Sequence, residues 1–143
     1  MSRIVLDTNV LVSGLLNPYG APGRVLDLIL SGEVQIAFDD RILEEYAEVL
    51  LRPRFGFVPS HVRNLLVYFR QAGMPVSGLP LEELADQAAD PDDLPFAEVA
   101  ASGQVDALVT GNIKHFTFLQ QTGLTVQTPA EFLVSWANER GEL

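Results

Sequence analysis

Short apolar segments alternate along this chain with longer segments in which apolar residues recur every three or four positions. The apolar segments lie at residues 4–6, 34–38 and 107–110, and they are typical of β-strands buried on both faces. The longer segments have the periodicity of amphipathic helices. Because strands that alternate with helices form βα units with right-handed crossovers, we predict an α/β fold, a three-layer α/β/α sandwich around a central parallel sheet.

The helical segments are bounded by single proline and glycine residues, which indicate turns. No repeat, low-complexity tract or polar linker divides the chain, so we expect residues 1–143 to form a single domain. The pattern is ambiguous over 81–89. Elsewhere it predicts helices over 10–15, 22–30, 42–50, 61–72 and 96–102, and a last helix after Thr128.

The composition fits a domain that folds without covalent or metal support. Of the 143 residues 48% are hydrophobic, and a chain of this length buries roughly two-thirds of its unfolded surface. The absence of cysteine excludes disulfides, thiolate metal sites and a thiol nucleophile. No apolar run approaches the roughly 20 residues of a membrane span, and Asp7 interrupts the run in which a signal peptide would continue. We therefore expect a cytoplasmic protein with no membrane segment.

The charge balance is strongly acidic, with 9 lysine and arginine residues against 19 aspartate and glutamate residues and a net charge of −10. A protein that binds nucleic acid by neutralising phosphates alone carries the opposite charge. A polyanionic partner would therefore require bound divalent cations, a local basic patch or a partner protein. The alternative is that the acidic residues only maintain solubility.

Polar residues follow two of the predicted strands at the points where these strands end. Asp7 follows the first strand, and Thr110 and Asn112 follow the third. Ligands of parallel sheets bind at the carboxyl ends of the strands, where Glu45 and Asp93 on neighbouring helices could join Asp7. A set of oxygen ligands without cysteine or paired histidine suits Mg²⁺ or Mn²⁺, and such an ion would support hydrolysis at phosphorus.

Each of these residues also has a purely structural explanation. Asp7 could be the N-cap of the helix that follows it. Glu45 lies in an acidic helix whose charged face could simply be solvated. Asp93 belongs to an acidic group at a helix start, together with Asp90 and Asp92, where the helix dipole favours negative charge. The segment from Thr110 could be only a turn.

Four sequence blocks resemble the PIN-domain family, and more narrowly its branch of toxin components from toxin–antitoxin systems, the VapC-like ribonucleases. In chain order the blocks are IVLDTNV, ILEEYAEVLLRPRF, DPDDLPFAEVA and VDALVTGNIKHF, and the resemblance extends from about residue 3 to Trp136. It implies a PIN-like α/β/α fold and a metal-dependent ribonuclease. The partners it implies are an RNA substrate and an antitoxin protein.

The resemblance also assigns positions to the catalytic residues. Asp7, Glu45 and Asp93 match the first three acids of the family, with Asp7 and Asp93 as the main ligands of Mg²⁺ or Mn²⁺. Glu44 is the nearest rival of Glu45, but it lies about 100° away around the helix. Asn112 stands at the fourth position, where many relatives have aspartate, and its uncharged amide weakens any second metal site. Asp90 and Asp92 are auxiliary acids that could compensate.

Several further residues are candidates for substrate contact. His115 could be a general base or an RNA contact, or only a surface group. The full set of substrate-binding candidates is Arg52, Arg54, Thr110, Lys114 and His115.

We also expect a homodimer, as is common in the family, because the helix over 61–72 has more apolar residues than a small domain can cover (Leu65, Leu66, Tyr68 and Phe69).

Three other functions compete with the nuclease. Haloacid-dehalogenase-like phosphatases require Asp-x-Asp after the first strand, whereas this chain has Asn9 at the second position. Receiver domains require a phospho-accepting aspartate after a later strand, and the chain offers no good candidate. A PIN-like domain that has lost catalysis and acts as a binding or scaffold module is the stronger alternative, and Asn112 is the residue that favours it.

Overall fold

The computed structural model describes residues 2–82, 85–88 and 90–141, and parallel β-strands form its centre. These strands are β1 (Ser2–Leu6), β2 (Val34–Phe38), β3 (Met74–Pro75), β4 (Ala107–Val109) and β5 (Val126–Gln127). They lie in the order β3-β2-β1-β4-β5, and every adjacent pair is parallel. The predicted parallel α/β architecture is confirmed. The prediction missed the two edge strands, each of which is only two residues long.

Helices flank this sheet. They are α1 (Thr8–Leu16), α2 (Ala21–Leu30), α3 (Asp40–Leu50), α4 (Pro59–Ala72), α5 (Leu94–Ser102) and α6 (Pro129–Glu139). Short 3-10 segments lie at Pro53–Phe55, Ala85–Gln87 and Pro91–Asp93, and a longer one lies at Ile113–Thr122. Residues 83, 84 and 89 of the ambiguous segment fall outside the described residues. None of the described helices is both long enough and apolar enough to cross a bilayer.

The strand order places a topological switch point between β1 and β4. From β1 the chain continues to β2 and β3 on one side, and it then returns to place β4 and β5 on the other side. The register pairs Leu6 with Val109, so the residues that follow these two strands leave the sheet side by side. Crevices at such switch points are the usual ligand sites of open parallel sheets.

The core fixes α3 against the end of β1. Leu43, Tyr46 and Leu50 are buried, as the periodicity of the helix predicts. The Tyr46 ring packs edge-on against Phe69 at a centroid distance of 5.9 Å, and its hydroxyl donates a 2.5 Å hydrogen bond to the carbonyl oxygen of Leu6. This buried hydrogen bond joins α3 to the last residue of β1. It therefore brings Glu45, the residue before Tyr46, to the switch point.

Candidate active site

An open cleft of about 410 Å³ lies at the switch point, and it collects acids from three separate parts of the chain. Asp7 comes from the end of β1, Glu45 from α3, and Asp90, Asp92 and Asp93 from the segment before α5. Of the other predicted site residues, Thr110 and Lys114 do not line the cleft. The complete lining is Asp7, Thr8, Asn9, Val12, Ser13, Glu45, Val49, Arg52, Arg54, Phe55, Asp90, Asp92, Asp93, Asn112 and His115.

Asp7 is buried at the base of the cleft, with 8% of its surface exposed. Its side chain makes no capping bond to α1, although the residue occupies the N-cap position. Its Oδ2 instead accepts a 2.7 Å hydrogen bond from the Thr110 hydroxyl. The oxygen of that hydroxyl in turn accepts a 3.0 Å hydrogen bond from the backbone N–H of Asn112. Burial raises the pKa of Asp7, and the Thr110 hydrogen bond opposes the rise. The capping explanation therefore does not account for this side chain.

Thr110 has a different position from the one predicted for it. It is fully buried below the cleft, so it has no surface with which to contact a substrate. Its hydroxyl orients Asp7 instead. The sequence signal for a polar residue at the end of β4 was correct, but the residue supports the cleft from beneath.

Asp93 places a buried carboxylate oxygen beside His115 in the cleft. The residue is buried, and the described part of the chain offers its Oδ2 no hydrogen-bond donor other than His115. His115 Nδ1 lies 3.1 Å from this oxygen, which is an ion-pair distance when the imidazole is protonated. Burial is the main cause that raises the pKa of Asp93 to about 6, followed by repulsion from Asp7, while His115 opposes the rise. A buried carboxylate whose one described partner is an imidazole, charged only when protonated, is a position that a cation would satisfy.

Glu45 is held in place by a residue that the sequence analysis did not single out. Its carboxylate accepts a short hydrogen bond from the Thr8 hydroxyl. Burial raises the pKa of Glu45, the Thr8 hydrogen bond opposes the rise, and repulsion from Asp7 adds to it. Glu44 is exposed and lies outside this cleft, so Glu45 is the acid of α3 that joins Asp7 and Asp93.

The donor set fits a divalent cation with few protein ligands. No three His, Cys, Asp or Glu side chains among residues 2–82, 85–88 and 90–141 form a group at metal-coordinating spacing. Mg²⁺, however, is usually bound through one or two carboxylates and keeps several of its waters. Asp7 and Asp93 line one cleft, both are buried, and they repel each other. These two carboxylates would hold the ion.

Comparison with known proteins gives the family. The sequence profile of the PIN domain matches residues 3–114. This chain belongs to the PIN domain family. An uncharacterized protein of Methanocaldococcus jannaschii is 28% identical to it over 139 residues, which cover 92% of this chain and 89% of that protein.

Two solved structures share the fold of this PIN domain. VapBC2 from Rickettsia felis, crystallised with a DNA fragment from the VapBC2 promoter, superimposes with a TM-score of 0.57 at 19% identity and covers 88% of this chain and 98% of its own. VapBC-1 from nontypeable Haemophilus influenzae gives a TM-score of 0.58 at 17% identity and covers 90% and 98%. At these identities the likeness establishes the fold.

The remaining polar residues of the cleft differ in how strongly they are held. Asp90 and Asp92 are both exposed, but Asp90 Oδ1 accepts a 2.9 Å hydrogen bond from the backbone N–H of Asp92 and so caps the short 3-10 turn. Asn112 is half-buried and points no charge into the cleft. Arg52 forms an ion pair with Glu48 one turn earlier on α3, at 2.9 Å. Only part of the predicted basic surface is therefore available to a substrate.

Besides Thr8, the sequence analysis also missed Glu98, a buried acid of α5. Glu98 interrupts the apolar face of α5, which was the available signal. Its Oε1 pairs with Arg41 at 2.7 Å, and its Oε2 accepts a hydrogen bond from the Leu81 amide at 3.0 Å. Arg41 also pairs with Asp39, the N-cap of α3. This network joins the start of α3 to α5, the helix that follows the acids at residues 90–93.

Proposed function

We propose that this PIN domain is a Mg²⁺- or Mn²⁺-dependent endoribonuclease and the toxin component of a toxin–antitoxin pair. The observation that carries the proposal is the meeting of Asp7, Glu45 and Asp93 in one cleft, where Asp7 and Asp93 are buried and repel each other. Repelling carboxylates in a crevice are costly for a folded protein unless they bind a cation. Membership of the PIN domain family supports the same activity.

The residues of the cleft would divide the work of phosphodiester hydrolysis. A bound divalent cation would supply an activated water and offset the charge that develops on the leaving oxygen. Asp7 and Asp93 would hold the ion, and Thr110 keeps Asp7 in its orientation. Glu45 is hydrogen-bonded by Thr8 and has a raised pKa, and it would accept a proton from the attacking water.

His115 has a supporting part in this proposal. Its Nδ1 lies beside Asp93, and its side chain lines the cleft while remaining partly exposed. A protonated imidazole would partly neutralise Asp93 in the absence of metal. In the metal-loaded site the same ring would be available to donate to a phosphate oxygen. Lys114 is exposed beside the cleft and would contact phosphates farther along the RNA.

The antitoxin, the dimer and the cytoplasmic location belong to the same proposal. Two of the solved structures that share the fold are VapBC proteins, which supports a partner protein. For the dimer, α4 leaves Leu65, Leu66 and Tyr68 only partly buried and Val67 53% exposed. Sedimentation at micromolar concentration should give about twice the 15.7 kDa mass of one chain. A monomer under these conditions would contradict the dimer.

A catalytically inactive scaffold module remains the second candidate, and two observations favour it. Asn112 supplies no charge, and the described residues contain no group of three acids at coordinating spacing. An inactive domain would retain the fold and its partners without cleavage.

Cleavage assays with matched variants separate the two functions. Wild-type protein is incubated with a mixed-sequence single-stranded RNA in Mg²⁺, in Mn²⁺ and in EDTA, beside the variants Asp7→Asn, Asp93→Asn and Asp92→Asn. We expect metal-dependent cleavage that falls at least about 100-fold in the first two variants and changes little in Asp92→Asn. Thermal melting confirms that each variant is folded. Absence of cleavage by folded wild-type protein in either metal would refute the nuclease and leave the scaffold.

A further inference from the structure

A second groove adjoins the cleft, and acidic side chains face each other across it. The groove holds about 360 Å³ and shares Glu45 and Asp92 with the cleft. Burial raises the pKa of Glu45, and repulsion from Asp92 and Asp93 adds to the rise, so the two sides of the groove repel each other. Among the described residues of the lining, Arg41 is the only basic one. The lining is Arg41, Glu44, Glu45 and Glu48 from α3, and Pro91, Asp92, Pro95 and Phe96 from the other side.

Arg41 joins the two sides of this groove. Its Nη1 donates a 2.7 Å hydrogen bond to Oε1 of Glu98 on α5, while its Nε and Nη2 both lie within 2.8 Å of Oδ2 of Asp39, the N-cap of α3. Among the residues that the structure describes, the pair of Arg41 with Glu98 is the only ion pair between α3 and α5. Because Glu98 is buried, salt screens this attraction less than it screens an exposed pair.

The position of Arg41 on α3 relates this ion pair to the cleft. Arg41 lies four residues before Glu45, so both side chains are on the same face of the helix, one turn apart. Next to Glu45, the ring of Tyr46 packs against Phe96 of α5 with centroids 6.4 Å apart. The ring contact alone would leave the first turn of α3 able to tilt away from α5. Together with the ion pair it fixes the direction of α3 across the groove.

We propose that Arg41 is a positioning residue, which holds α3 against α5 through Glu98 and thereby keeps Glu45 in the cleft. Arg41 does not line the cleft itself, so it acts on the reaction only through Glu45. This inference rests on the proposed function, in which Glu45 accepts the proton of the attacking water. Asp7 and Asp93 reach the cleft from other elements, so loss of the ion pair should displace Glu45 and leave the metal site in place.

Glu98 has a second contact that the experiment must separate from the ion pair. Its Oε2 accepts a 3.0 Å hydrogen bond from the Leu81 amide, and Ser102 Oγ accepts one from the Leu79 amide at 2.9 Å. Both contacts hold the loop over 76–81 on α5. Glu98→Gln keeps an acceptor for Leu81 but removes the charge that attracts Arg41. Ser102→Ala releases the loop and leaves the ion pair intact.

Cleavage of a single-stranded RNA at saturating Mg²⁺ tests the positioning role. We expect Arg41→Met to lower kcat about 10-fold or more, because a small displacement of a reacting group has a large effect on rate, and to change KM much less. The metal concentration for half-maximal cleavage should change by less than about threefold, and Arg41→Lys should keep at least about a third of the wild-type kcat. An unchanged kcat in folded Arg41→Met, or an equal loss in Arg41→Lys, would overturn the proposal.

Matched variants show whether the ion pair is the cause of the loss. Glu98→Gln should lower kcat as Arg41→Met does, and the double variant should lose no more than either single one, because both remove the same contact. Arg70→Met is the control at the same end of α3, since Arg70 pairs with Asp40 and not with α5. It should leave kcat unchanged, as should Ser102→Ala. Losses that add in the double variant, or a loss in Arg70→Met equal to that in Arg41→Met, would contradict the positioning role.

Amide hydrogen exchange of the metal-free protein measures the position of α3 without cleavage. Peptides that cover residues 40–47 should exchange at least about fivefold faster in Arg41→Met, and those that cover α4 should not change. Unchanged exchange in residues 40–47 would overturn the proposal. Wild-type cleavage with an unchanged kcat in Arg41→Met would overturn the positioning role and leave the nuclease intact. Faster exchange without cleavage by wild-type protein would refute the nuclease, while the role of Arg41 in holding α3 would stand.

Discussion

Asp93→Asn should stabilise the metal-free protein at neutral pH, although it removes a residue proposed to be essential for activity. The pKa of Asp93 is raised from 3.8 to about 6 in the folded protein. A group whose pKa is higher in the folded state contributes stability below its unfolded pKa and loses this contribution as the pH rises through the folded value. The folded protein therefore loses this contribution to its stability between about pH 4 and pH 6, and the loss is complete at pH 7.5.

The size of the effect follows from that pKa. A rise from 3.8 to about 6 corresponds to an upper limit of about 3 kcal/mol of unfolding free energy. Because the cleft is open to water and salt, screening reduces this figure, and we expect about 1–2 kcal/mol. For a domain of this size Asp93→Asn should raise Tm by about 3–6 °C in EDTA at pH 7.5. Asparagine has the same shape as aspartate but cannot ionise.

Differential scanning fluorimetry or calorimetry in EDTA at pH 7.5 and pH 4.5 tests this prediction. The gain should fall to about a third at pH 4.5, where Asp93 of the folded wild type is protonated but the unfolded chain is already partly ionised. Asp92→Asn is the matched control, since it makes the same change at an exposed neighbour and should alter stability by less than about 0.5 kcal/mol. Adding Mg²⁺ should stabilise the wild type more than Asp93→Asn. A lower Tm for Asp93→Asn at pH 7.5, or an equal gain at both pH values, would refute the reasoning.

Three further substitutions test other parts of the site. Asn112→Asp should lower the Mg²⁺ or Mn²⁺ concentration for half-maximal cleavage, because it adds a charged oxygen ligand. It should also lower Tm in EDTA, because the added carboxylate repels the other acids. Unchanged metal titrations would show that residue 112 takes no part in metal binding. Thr8→Val should reduce kcat about 10-fold, since Glu45 loses its positioning hydrogen bond, whereas Thr8→Ser should retain activity. Glu98→Ala should lower the unfolding free energy by about 2 kcal/mol, because Arg41 loses a buried partner; an unchanged urea midpoint would contradict this.

The central strands were predictable because burial on both faces leaves a clear mark in the sequence. β1 and β4 are apolar runs that end at the first polar residue, and that residue enters the cleft or supports it. The edge strands leave no such mark, because two residues cannot display an alternation. Pro75 would also argue against a strand in the interior of a sheet, yet it is tolerated in β3, which has a partner on one side only.

The acids of the site could be named from the sequence, but their supports could not. An aspartate at the start of a helix has the same sequence pattern whether it caps the helix or faces a cleft, and only the hydrogen bond from Thr110 to Asp7 distinguishes the two. That bond joins residues 103 positions apart, and the Thr8 to Glu45 bond joins residues 37 positions apart. Such pairings depend on the tertiary fold, which local periodicity does not encode.

The structure shows how a fold can hold mutually repelling carboxylates together before a cation is bound. The hydrogen bonds that fix the acids are donated by neutral or paired groups outside the cleft. The Tyr46 hydroxyl donates to the Leu6 carbonyl oxygen, the Thr110 hydroxyl donates to Asp7, and Arg41 donates to Glu98. None of these contacts would be lost on binding an ion at Asp7 and Asp93, so the protein need not reorganise its core to load the site. The repulsion is then confined to the cleft, where a divalent cation would relieve it, and the free energy released would contribute to the affinity for that ion.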